Sequence, residues 1–241
     1  MKIVNLKTLL WLSIFAVAMG FLESSVVIYL RELYYPSGFE FPLRVIPSKI
    51  AMVEIWREAA TIIMLIGAGY MAGKTALTRF AYFLIAFAVW DIFYYVFLFV
   101  FIGWPASLFT WDILFLIPAP WTGPVIAPCL VALGMIVFGL SILSANAGKI
   151  SRVTRGQWFL LISGVIIIIS SFLYDYFVEV QLTQASFLPT REGLLNELKN
   201  YVPTQFNWFI FFCGLICSSL GTFFYIHKNT TLLKTNTYEK K

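Results

Sequence analysis

The stretch FAYFLIAFAVWDIFYYVFLFVFI, from Phe80 to Ile102, decides the class of this protein: 23 residues in a row with Asp91 as their one charge. At about 1.5 Å of rise per residue such a run covers the ~30 Å apolar core of a bilayer as a helix. A helix that is apolar all round is buried in a large core or in lipid. The rest of the chain settles which. Its 241 residues are 60% hydrophobic, 18% aromatic and 12% charged, with mean hydropathy +0.84. Soluble domains carry about 25% charge, so a water-soluble fold is excluded, and disordered chains are poor in apolar residues, so disorder is excluded too.

Working outward, five further runs have spanning length: Leu9 to Leu33, Ile50 to Ala72, Val125 to Leu143, Trp158 to Val180 and Phe206 to Ile226. The expected fold is an all-α integral membrane protein, a six-transmembrane-helix bundle over residues 1–228, followed by a polar tail over 229–241. Lys2, Lys7, Lys74, Arg79, Lys149, Arg152, Arg155, Lys228, Lys234, Lys240 and Lys241 all fall on one side of it, 11 of the 17 basic residues, joined there by Glu239 alone among 12 acids. Basic loops stay inside, so both termini are expected in the cytoplasm, with the chain in the cell (inner) membrane. Trp11 and Trp158 mark the inner interface, and Trp104, Trp111, Trp121 and Trp208 the outer one. Ala16-Val17-Ala18 resembles a signal-peptidase site. The apolar run continues well beyond it, past the 7–15 residues of a signal h-region, so retention of the first span is expected.

The outer loops hold all ten prolines, which stiffens them and disfavours helix where proline clusters. WDILFLIPAPW, from Trp111 to Trp121, is apolar but too short to span; it is read as a short interfacial or re-entrant helix ending at Pro118. Arg191 to Lys199 reads as a short amphipathic surface helix.

Chemistry in such a chain is sought among ionisable residues inside the spans, because each costs about 2.5–3.5 kcal/mol at the helix centre on insertion scales and therefore faces the bundle interior with a partner. They are Glu23 in the first span, Glu54, Arg57 and Glu58 in the second, and Asp91 in the third. Their depths, at about 1.5 Å per residue, place all of them between the midplane and the outer interface. Glu54, Arg57 and Glu58 share one helix face at i, i+3 and i+4. Arg31 lies on a similar face to Glu23 one layer further out, and Ser24, Ser25 and Thr61 add small polar groups. These five ionisable residues are the candidates for binding a proton, an ion or a substrate. The competing reading is a structural lock around Arg57. Asp112 is read as the second residue of the short helix capped by Thr110, favoured there by the helix dipole. Asp175 and Glu179 are read as interfacial.

Gly69-x-x-x-Gly73 and Gly214-x-x-x-Ser218 are close-packing patterns, within the bundle or between chains. Cys129, Cys213 and Cys217 form no CxxC pair, and His227 is the single histidine, so no metal or cofactor site is expected. Walker A, GxGxxG, HExxH and GxSxG motifs are absent from the sequence. The basic charge, net +5, follows topology, so nucleic acid is not an expected partner. The expected partners are the lipid bilayer and, beyond it, other membrane subunits or a second copy. Three functions remain open: a small transporter or ion/proton-conducting protein using the outer cluster, a non-catalytic subunit of a larger membrane complex, and an integral membrane enzyme acting on a lipid-like or small substrate at the outer face. No catalytic residue is assigned.

Overall fold

The computed structural model describes residues 5–42, 44, 47–117, 119–147, 152–183 and 202–238. Six helices are found among them: α1 (Leu6–Tyr34), α2 (Ser48–Ala72), α3 (Ala76–Ile102), α4 (Ile126–Ala147), α5 (Arg155–Thr183) and α6 (Trp208–Tyr238). Between α3 and α4 lie two strands, β1 (Trp111–Phe115) and β2 (Trp121–Pro124). The expected amphipathic helix from Arg191 to Lys199 lies outside the described residues, as do Lys2, Lys149, Glu239, Lys240 and Lys241. α6 runs to Tyr238, so the first part of the polar tail continues the helix.

Five of the six, α1, α3, α4, α5 and α6, are long and apolar enough to cross a membrane. The chain therefore has the build of an integral membrane protein. α2 is the one set apart: at 25 residues it is long enough, but Glu54, Arg57 and Glu58 interrupt its apolar run.

α3 is the central helix, packing on α1, α2 and α4, while α5 pairs with α6 and α4 also touches α6. Asn5 caps α1 by accepting the Thr8 N–H. A reciprocal Thr75–Thr78 capping box starts α3. That cap makes the turn from α2 to α3 short, and Arg79 completes it, donating to the Gly73 carbonyl with its guanidinium 3.6 Å from the Tyr70 ring. The two close-packing patterns are used inside the bundle. A Cβ on Gly69 would sit 2.7 Å from the Phe83 backbone nitrogen of α3, and one on Gly214 would sit 2.8 Å from the Gly164 carbonyl of α5. Small residues here let backbones approach as no larger side chain allows.

The segment from Trp111 to Trp121 is not a helix. Trp111–Phe115 pairs antiparallel with Trp121–Pro124, with Asp112 opposite Gly123, Ile113 opposite Thr122, and a bulge between Ile113 and Phe115. Trp-Thr-Gly-Pro just beyond the prolines supplies a partner strand, and the aromatic and β-branched residues of Trp111–Phe115 favour an extended backbone. A helix of so few residues leaves most of its terminal amides and carbonyls without partners, whereas pairing satisfies them, as depth in a membrane demands. The hairpin is buried in the bundle: Trp121 stacks on Phe172 of α5, Phe115 lies against Phe87 and Trp90 of α3, and Trp111 meets Phe206 edge-on. Trp111 and Trp121 thus pack against protein.

Candidate functional site

The buried face of α2 carries Glu54, Glu58, Thr61, Leu65, Ala68 and Gly69 in a single stripe. Its lower half, built of small and apolar residues, fits against α3. Its upper half carries the charges, and they meet α1. Arg57 Nη1 donates to Glu23 Oε1 on α1. Arg57 also donates to Glu54 Oε2 through Nε at 2.8 Å and through Nη2 at 2.6 Å. The Thr61 hydroxyl donates to the other Glu23 oxygen at 3.1 Å. The guanidinium fork therefore bridges two carboxylates from two helices, a geometry that lysine cannot reproduce. Ser24 and Ser25 take no part, since both hydroxyls donate back to the Phe21 carbonyl.

Glu58, one turn beyond Glu54, faces the hairpin. Its Oε2 accepts the Leu116 backbone N–H at 2.9 Å, and no ion pair reaches it among the described residues. It is 9% exposed. Of the three α2 charges it is the one whose charge is not neutralised by contact.

A second polar group lies across the bundle. Arg31, on the last turn of α1, pairs with Asp112 of β1 at 3.3 Å, and both side chains are buried. The guanidinium carbon lies 3.6 Å from the Trp104 ring centroid and 4.4 Å from that of Phe39, a cation held between aromatic faces. Asp112 is not a helix-capping residue, since Thr110 instead accepts the Ser107 N–H in the turn before β1. Burial pushes the Asp112 carboxyl up to about 6, against the pull of Arg31. The sequence placed Arg31 on the right face but assigned it no partner, because Asp112 becomes a neighbour only through the hairpin.

Asp91 does not join the Arg57 group. Among the described residues it has no ion pair or hydrogen bond, and its electrostatic neighbours are Asp112, Tyr95 of α3 and Cys129 of α4. Tyr94 of α3 stands between the two groups, within electrostatic reach of Asp112 and Arg31 on one side and of Glu23 and Arg57 on the other. Asp175 is half-buried and ties the end of α5 to the start of α6, accepting from the Thr204 N–H and hydroxyl and from the Gln205 N–H.

The candidate residues thus divide into three kinds: Glu23, Glu54 and Arg57 in a closed ion-paired clamp, Glu58 bonded only to backbone, and Asp91 beside the Arg31–Asp112 pair. Among the described residues no group of three His, Cys, Asp or Glu side chains is arranged to hold a metal ion. No family model, curated protein or solved structure matches this chain.

Proposed function

We propose that this chain is a small multi-pass transporter or ion-conducting protein of the cell membrane that handles protons, with α2 as its sixth span, both termini cytoplasmic and Glu58 as the group that gains and loses the proton. The observation that carries this reading is the unequal treatment of the carboxylates on one helix face. Glu23 and Glu54 are matched to Arg57, whereas Glu58 has a backbone amide alone. A carboxylate paired with guanidinium is held in its charged form. One bonded only to a neutral amide exchanges its proton at lower cost, as proton relays within membranes require.

The test uses purified full-length protein in vesicles loaded with a pH-sensitive dye, under an imposed membrane potential. Wild type is expected to pass protons above the rate of protein-free vesicles, and Glu58→Gln, which keeps size and hydrogen-bonding capacity without the charge, to fall to the background rate. A wild-type rate equal to that of empty vesicles, or a Glu58→Gln rate equal to wild type, overturns the proposal. The clamp by itself also fits a subunit of a larger membrane complex, in which Arg57 locks α1 to α2 and no proton moves.

A further inference from the structure

Asp91 has no part in the Arg57 clamp, and its surroundings give it a different role. We propose that Asp91 and Asp112 form a carboxyl dyad that binds a single proton, a site separate from the Arg57 group and independent of whether the chain transports anything.

The first ground is placement. Asp91 lies midway along α3, inside its apolar run, and Asp112 is 2% exposed on β1. The groups facing them come from every element packed around the site: Arg31 from α1, Tyr94 and Tyr95 from α3, and Cys129 from α4. Arg31 is the cation of this set, and the rings of Trp104 and Phe39 hold it against Asp112.

The second ground is unmet hydrogen bonding. Arg31 meets Asp112 through Nη2 and Oδ1, while Arg31 Nη1 and Asp112 Oδ2 are buried with no hydrogen-bond partner. Both residues are more than nine-tenths buried. Native structures rarely leave such atoms unsatisfied. An acceptor oxygen without a donor, beside a second carboxyl that also has none, is a place where an added proton supplies the missing donor.

The third ground is charge. Two ionised carboxylates against one guanidinium leave a net negative charge in a desolvated site. Like-charged carboxyls that share a site do not both ionise, and one proton between them removes the excess. The described residues here offer no three-ligand set for a metal, which favours the proton over a metal ion as the bound species.

Infrared spectroscopy of the full-length protein reads this directly, because a protonated carboxyl has its own C=O band. The chain has three aspartates, Asp91, Asp112 and Asp175. Selective 13C labelling of aspartate carboxyls therefore separates their band from every glutamate without any mutation. Wild type at neutral pH is expected to show a label-shifted protonated-aspartate band that is retained in Asp175→Asn and lost in Asp91→Asn. In Asp112→Asn, with the like charge gone and Arg31 released, the band should disappear at a pH lower by about one unit or more. Absence of a label-shifted band in wild type at neutral pH overturns the dyad, as does an unchanged band in Asp91→Asn or an unchanged titration in Asp112→Asn.

Discussion

Two helix pairs in this molecule meet by opposite means. α5 and α6 join through Gly164, Gly214 and Ser218, with backbone against backbone. α1 and α2 join through Arg57, reaching between Glu23 and Glu54. In lipid the hydrophobic effect does not hold helices together, so association depends on close packing and on polar bonds. The glycine seam uses the first and involves no charge. The arginine seam uses the second. It holds charged groups on a helix that is otherwise 25 residues of membrane-spanning length, and it leaves room for a carboxylate, Glu58, that the seam itself does not need. The difference shows where chemistry is located in such a fold: at the seam whose atoms can change charge.

The largest effect is expected at the arginine seam. Arg57→Met strands two carboxylates and should destabilise the protein by about 3–5 kcal/mol. Adding Glu23→Gln and Glu54→Gln should recover part of that loss, and denaturation in detergent measures both steps. If Arg57→Met alone is as stable as wild type, the seam does not depend on charge. The glycine seam should respond to volume instead. Gly214→Val places side-chain atoms where the α5 backbone lies and should cost about 1–3 kcal/mol, with no rescue from any charge change. Thr61→Val removes a single hydroxyl donor to Glu23 at nearly constant volume, and a loss near 1 kcal/mol is expected. The smallest effect is expected at the exposed end of the α5–α6 pair. Asp175→Asn keeps an acceptor for the Thr204 and Gln205 amides, so global stability should change by less than about 0.5 kcal/mol, while hydrogen exchange of those amides accelerates.

How far these seams are legible in sequence depends on the range of the contact. The spans follow from uninterrupted apolar runs, and the grouping of Glu54, Arg57 and Glu58 follows from helical spacing. The pairing of Arg57 with Glu23 also follows from depth, since the two lie at similar levels in neighbouring spans. What fails is the region whose structure depends on a distant strand. Trp111–Phe115 reads as a helix when only its length and Pro118 are weighed, and becomes a strand because Trp121–Pro124 returns beside it. Two consequences follow from that one misreading. Asp112 changes from a capping residue to the partner of Arg31, and the Leu116 N–H becomes the ligand of Glu58. Asp91 was placed at the right depth but with the wrong group, because depth along a helix says nothing of the direction around it.

The central claim is that Glu54 belongs to a structural clamp and Glu58, one turn away on the same face, does not. Thermal unfolding of Glu54→Gln and Glu58→Gln side by side in detergent tests it most directly. Gln at position 58 still accepts the Leu116 N–H, so its midpoint should match wild type. Gln at position 54 loses the charged partner of Arg57 and should melt lower by at least about 4 °C, from ~2 kcal/mol at 2–4 °C per kcal/mol for a chain of this size. Equal midpoints for the two variants, or a lower one for Glu58→Gln, would contradict the account.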